Sequence, residues 1–153
     1  MDPQQLEALR RNAGFELDRE GQLHHRGQPV EHPGVRSALL GGLTVNEAGE
    51  AVLEVPQVDG SVQWAYVRCE GTPFVAQAAR LDATTLHLRL NTGEHITIPL
   101  GDLSLRLEGD HDLHVRIHDG RHEARLGRQA WTAVAGELEW RDGRWWLGVP
   151  QAR

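Results

Sequence analysis

The side chains best suited to chemistry in this chain are nine histidines and sixteen arginines, the latter without a single lysine beside them. His111, His114, His118 and His122 recur every three or four residues, the spacing at which a helix would present ligands to one metal ion. Leu113, Val115 and Ile117 alternate through the same stretch, however, and Asp119-Gly120 is a hairpin-turn signal. On a strand His114 and His118 share a face but stand about 13 Å apart at ~3.3 Å per residue, too far to share one ion. A two-residue loop sets His118 opposite Arg121, Arg116 opposite Glu123 and His114 opposite Arg125. This predicts an exposed polar ladder holding one ion pair, Arg116–Glu123. His24-His25 with His32 has no further donor at a familiar spacing, so neither a metal nor another cofactor is expected.

Nucleophile chemistry is poorly supported. The chain has no Gly-x-Ser-x-Gly elbow, phosphate-cradling glycine loop or His-Glu-x-x-His helix. Gly41-Gly42 lacks the following lysine of a phosphate loop and reads as a helix C-cap. Cys69, between Arg68 and Glu70, reads as a small packed residue at a strand end, and as the sole cysteine it points to a reducing compartment. A polar, acidic N-terminus without an apolar run, Met1-Asp2-Pro3-Gln4-Gln5, fits a cytoplasmic protein. An enzyme would need a carboxylate and a histidine converging through the fold, and the expectation is a non-enzymatic protein.

Arginine pairs in bidentate fashion with carboxylates and phosphates. The net charge of −6 is the reverse of the basic surplus that duplex binding needs, so nucleic-acid duplexes are excluded as partners. The candidate contacts for a small anionic ligand are Arg89 and Asn91 before one turn, and Arg116, Glu123, Arg125 and Arg128 around another. Trp145 and Trp146, adjacent on a strand, must point to opposite faces. One of them is available for a protein partner or a second copy of the chain.

These residues must be positioned by strands. Asp2 caps a short helix with Pro3 in its first turn, and Gly14 ends the segment. Beyond it the hydrophobic period falls to two: Val62, Trp64 and Tyr66; Leu86, Leu88 and Leu90; Ile96 and Ile98; Leu103, Leu105 and Leu107; Leu113, Val115 and Ile117. Glu47-Ala48-Gly49, Asn91-Thr92-Gly93, Asp119-Gly120 and Arg141-Asp142-Gly143 mark the turns between them. No run approaches the roughly 18 apolar residues of a membrane helix. One segment also occurs twice. Val45–Pro56 aligns with Glu139–Pro150 at an offset of 94 residues (Gly49 to Gly143), sharing the turn glycine, a leucine and a closing Val-Pro. Each copy follows a small-residue helix, Val35–Gly42 or Gln129–Gly136, and each helix follows a tight turn, Arg26-Gly27 or Asp119-Gly120. The expected fold is mostly β within the α+β class. It has an N-terminal helix over residues 1–14 and two related antiparallel halves, residues 15–70 and 71–153, each with one short helix.

The placed motifs resemble a bacterial family, the domain of unknown function 1285. The resemblance spans about Phe15 to Val149 and rests on Gly27-Gln28-Pro29-Val30, Gly49 with Leu53-Glu54-Val55-Pro56, and Thr72-Pro73-Phe74-Val75-Ala76. It continues through Leu88-Arg89-Leu90-Asn91-Thr92-Gly93-Glu94 and Val115-Arg116, then Glu123-Ala124-Arg125-Leu126, Arg128 and Trp131. The last hairpin, Arg144-Trp145-Trp146, departs from the family pattern. The resemblance implies a duplicated β-rich fold whose C-terminal half is similar to pleckstrin-homology domains. It further implies a small-molecule, nucleotide-like site at the junction of the halves and a signalling role. The combined reading is a cytoplasmic, non-enzymatic ligand-sensing module. The alternative is a protein-interaction or assembly module using a strand edge and the Trp145-Trp146 hairpin.

Overall fold

Helix α1 (Pro3–Arg11) begins where the sequence places it. The Asp2 carboxylate accepts from the Gln5 amide while the Gln5 side chain accepts from the Asp2 amide, a reciprocal capping box ahead of Pro3. A computed structural model describes residues 1–148, so Val149-Pro150 at the end of the second repeat copy lie outside the described residues. The chain divides into two compact units, Met1–Pro73 and a second from Phe74 onward.

In the first unit α1 is followed by β1 (Phe15–Leu17), β2 (Leu23–His25), β3 (Gln28–Pro29), α2 (Pro33–Gly41), β4 (Leu43–Val45), β5 (Ala51–Pro56) and β6 (Val62–Arg68). They form one six-stranded sheet in the order β3-β2-β1-β6-β5-β4, two antiparallel three-stranded meanders joined where β1 runs parallel to β6. Leu43, Leu53 and Ala65 lie side by side on neighbouring strands and are buried together with Leu17, Leu23, Leu40 and Val67. The buried face of β6 is therefore the one with Ala65 and Val67. The Val62, Trp64 and Tyr66 face, expected to be the core face from its alternation, is the outer one, with Val62 56% exposed. Its aromatic rings serve as platforms for α1. The Arg10 guanidinium lies 4.0 Å over Trp64, that of Arg11 4.0 Å over Tyr66, and the Tyr66 hydroxyl donates to Glu7. Gly42 is the expected C-cap, its amide reaching the Leu39 and Leu40 carbonyls.

The second unit contains β7 (Phe74–Leu81), β8 (Thr85–Leu90), β9 (His95–Pro99), β10 (Leu105–Glu108), β11 (Asp112–Ile117), β12 (His122–Leu126), α3 (Arg128–Val134), β13 (Leu138–Arg141) and β14 (Arg144–Leu147). Its six-stranded sheet runs β10-β11-β12-β7-β8-β9, again two meanders joined by one parallel pair, β12 with β7. Here the leucine alternation does mark the core: Leu86, Leu88, Leu90, Leu113, Val115 and Ile117 are at most 2% exposed. A bulge between Ala76 and Ala78 shifts the β7–β8 register, and α3 packs on β7 with Ala130 and Val134 fully buried. The duplicated order is present in both units as β2–β3, α2, β4–β5 and as β11–β12, α3, β13–β14. The closing hairpin is built into the six-stranded sheet of the first unit and stands as a separate two-stranded ribbon in the second.

Candidate functional site

Alternation along β11 and β12 sorts the side chains of the second unit onto two faces. Leu113, Val115, Ile117, Ala124 and Leu126 are buried on one. His114, Arg116, Glu123 and Arg125 share the other with Arg106, since Arg106 pairs with His114, His114 with Arg125 and Arg116 with Glu123. That register is the expected one, but the turn and the ladder differ from expectation. The paired strands end at Ile117 and His122, and His118, Asp119 and Gly120 all take positive φ (52°, 56° and 82°), while the Arg121 amide still donates to the His118 carbonyl across the turn at 3.1 Å. Nor is the ladder exposed throughout, as His114 and Arg125 are 4% and 9% exposed.

The expected Arg116–Glu123 ion pair is replaced. Arg106 extends across β11 and donates through Nη2 to Glu123 at 2.6 Å, and it bonds Glu108 as well. Arg116 instead donates to the Gly120 carbonyl at the turn, 3.3 Å away. A guanidinium two strands away on the same face outcompetes the directly opposed one because its planar fork bridges two carboxylates. The Arg106 hydrogen bond holds the Glu123 carboxyl below the usual carboxylate range.

Asn91, expected among the ligand contacts, has a structural task. It is 5% exposed, its Oδ1 accepts from the Val75 amide at 3.0 Å, and its own amide donates to the Val75 carbonyl at 2.8 Å. The side chain thereby extends the β7–β8 pairing by one rung where β8 turns away. Arg128 opens α3, exposed, and Arg125 is engaged within the buried row. The structure thus brings Arg116, Glu123 and Arg125 onto one face and leaves Arg89, Asn91 and Arg128 elsewhere.

Arg89 lies on the rim of an open groove of about 570 Å³ lined by Ala78, Ala79, Arg80, His87, Leu88, Arg89, His95, Gln129 and Ala133. Arg89 and His95 are register partners on β8 and β9, and neither has a hydrogen-bond or ion-pair partner among the described residues. Arg80 and His87 are engaged by Asp82, whose Oδ2 is 2.8 Å from His87 Nε2 and 4.0 Å from Arg80. The His87 contact and the Thr84 and Thr85 amides hold the Asp82 carboxyl at about 2. Sequence reasoning singled out Arg89 but missed Arg80, His87, His95 and Gln129. They come from β7, β8, β9 and α3, and no local spacing signals their meeting.

In the β8–β9 turn, next to His95, Glu94 contacts His118 Nε2 at 3.0 Å, and the Nδ1 atoms of His118 and His122 face one another at 2.7 Å. Both imidazoles pack on Phe74, with centroids 5.3 Å and 5.0 Å away. Burial, followed by the neighbouring His118, lowers the His122 pKa. Among the described residues no cluster of three or more histidine, cysteine, aspartate or glutamate side chains is arranged around a metal position. Burial pushes the Cys69 thiol up, away from a reactive thiolate, and its Sγ donates to the Gly71 carbonyl.

On the β13–β14 ribbon, Trp145 and Trp146 do point apart. Trp145 packs edge-on against Trp140 across the pair, while Trp146 is covered by the Arg141 and Arg144 guanidiniums and donates from Nε1 to the Arg141 carbonyl. The most exposed ring of the three is Trp140, at 58%.

Fold and site together define a β-rich α+β protein of two six-stranded sheets and a two-stranded ribbon. No helix among the described residues is long and apolar enough to cross a membrane. Two solved structures that it resembles are DUF1285 family proteins. One, from Silicibacter pomeroyi DSS-3, matches with a TM-score of 0.65 and 18% identity over 91% of this chain and 76% of that one. Another, from Shewanella baltica OS155, matches with a TM-score of 0.52 and 13% identity over 76% of this chain and 86% of that one. The resemblance read from the sequence is supported by these neighbours at the level of the fold. No family model matches the chain, and no curated protein matches it.

Proposed function

We propose that the chain is a non-enzymatic cytoplasmic module that senses a small anionic, nucleotide-like ligand, taken up in the groove of the second unit. The observation that carries this reading is the pairing of Arg89 with His95 on that rim, two nitrogen-rich side chains without a protein partner among the described residues. A guanidinium beside an imidazole offers several donors to a phosphate or carboxylate. Gln129 adds an amide, and no acidic residue lines the groove. Its volume, about 570 Å³, suits a small molecule. Asp82 preorganises the far side by holding His87 and Arg80.

Thermal denaturation with adenine and guanine nucleotides, pyrophosphate and small dicarboxylates at millimolar concentration tests the reading. A ligand at ten times its dissociation constant adds about 1.4 kcal/mol and raises Tm by roughly 3–6 °C. Arg89→Ala is expected to abolish the rise while leaving the unliganded Tm unchanged. Absence of any shift across the panel, or an equal shift in Arg89→Ala, refutes the proposal.

A second reading, as a protein-interaction module, is favoured by the exposed Trp140 edge-packed on Trp145. Trp140→Ala, compared with Trp146→Ala in light scattering and pull-down, separates the two. An interaction lost with Trp140 and kept with Trp146 supports this reading, and an interaction lost with neither removes its motive.

A further inference from the structure

We propose that Glu94, His118 and His122 form a proton-operated clasp that pins the β11–β12 turn to the β8–β9 turn, closed while the two imidazoles share at most one added proton and open once both are charged. The hydrogen positions follow from the partners. A carboxylate only accepts, so His118 Nε2, 3.2 Å and 3.0 Å from the two Glu94 oxygens, carries a hydrogen. In the neutral pair the His118 lone pair is then on Nδ1, and the 2.7 Å contact requires the hydrogen of His122 to be on its own Nδ1. One added proton keeps the chain of hydrogen bonds intact. His118 becomes a cation between Glu94 and the Nδ1 lone pair of His122, whose remaining hydrogen moves to Nε2. A second proton puts N–H groups on both facing Nδ1 atoms, and a donor–acceptor contact becomes one between two donors and two like charges.

The place of the clasp in the sheet gives it a mechanical role. The two meanders of the second unit share one ladder, Ala124–Leu126 of β12 against Phe74–Ala76 of β7. Phe74, 2% exposed, packs against both imidazoles, so the clasp links a turn of each meander across the first residue of β7. The charged groups around His122 are His118 and Arg121 from its own turn and Glu94 from the β8–β9 turn, while β7 contributes the apolar Phe74. Arg121, its Nε donating to the His118 carbonyl, adds positive charge near His122 and opposes the second proton. The Thr92 hydroxyl donates to Glu94 within the same turn and helps to hold the carboxylate in place. Burial and the neighbouring positive charges lower the His122 pKa from its ordinary value. A closed form that resists a proton loses its advantage over the open one as pH falls from the ordinary imidazole value toward the lowered one, so acid opens the clasp.

Long-range imidazole nitrogen spectra of the full chain between about pH 8 and about pH 5, with amide exchange on the same samples, test the clasp. At the alkaline end His118 should be the Nε2–H tautomer and His122 the Nδ1–H tautomer, a readout taken on the unaltered protein. The two rings should titrate as a coupled pair. His122→Phe, which keeps an aromatic ring beside Phe74, should turn the His118 curve into a single step. The Gly120 and Arg121 amides donate to the Ile117 and His118 carbonyls. In acid they should lose protection several-fold after correction for the intrinsic exchange rate, and His122→Phe should remove that dependence. His87, whose partner is Asp82 rather than a second imidazole, should titrate alike in parent and variant. The opposite tautomer on His118, a His118 curve unchanged by His122→Phe, or turn protection indifferent to pH overturns the clasp.

Discussion

Replacing Asn91 by alanine tests the reassignment of this residue from ligand contact to internal brace. The Asn91 Oδ1 is the side-chain acceptor for the Val75 amide at 3.0 Å, and the two residues are 5% and 1% exposed. Water cannot substitute at such a position without opening the β7–β8 end, so the variant leaves a buried N–H without that acceptor. Such an orphan costs about 1–3 kcal/mol, or a fall in Tm of roughly 3–10 °C for a chain of this length. The backbone bond from Asn91 to the Val75 carbonyl does not depend on the side chain and remains. Because two compact units need not unfold in one step, the global transition should be paired with a local probe. Hydrogen exchange at the Val75 amide is that probe, and its protection should drop more than that of Leu113 or Val115. Arg89→Ala, exposed on β8, should stay within about 0.5 kcal/mol of the parent. An Asn91→Ala protein with unchanged Tm and an equally protected Val75 amide would refute the brace.

Two further outcomes follow from the packing and the ion pairs. In Gly42→Ala a new Cβ would stand 2.0 Å from the Glu54 carbonyl oxygen, so α2 must lift from β5 at a cost of about 1–3 kcal/mol or more, seen as a lower urea midpoint. A double-mutant cycle between Arg106→Ala and Glu123→Gln should give about 0.2–1 kcal/mol of coupling at pH 7, whereas the Arg116–Glu123 cycle, with no hydrogen bond between the side chains, should give less. Since Arg106 depresses the Glu123 pKa in the folded state, that coupling is fully present above the unfolded carboxylate value. It is lost as pH falls through the folded one, so repeating the cycle in acid checks the sign. An Arg116–Glu123 coupling equal to that of Arg106 would restore the pair expected from register alone.

Strand pairing was legible wherever one face is apolar and the other polar, because a period of two leaves little freedom once a turn is placed. The leucine runs of β8 and β11, the Arg116–Glu123 and His114–Arg125 register, the Asp2 cap and the Gly42 C-cap all follow from such local rules. Where both faces carry apolar groups the rule loses its grip. On β6 the larger residues, Trp64 and Tyr66, took the outer face because α1 supplies arginines to stack on them, while small Ala65 and Val67 fill the core.

Sequence by itself therefore determined the fold class, the hairpin–helix–hairpin order in each unit and the family resemblance, since each depends on residues within a few positions of one another. Tertiary structure alone decided which charges pair and which side chains meet. Arg106 reaches Glu123 across an intervening strand, and His95 and Gln129 join Arg89 from separate elements. His118 finds both His122 and Glu94 because a left-handed turn and the adjacent β8–β9 hairpin converge on Phe74. Side chains compete for partners in three dimensions, and a guanidinium or imidazole long enough to span two strands is not bound by the register that positions its own backbone.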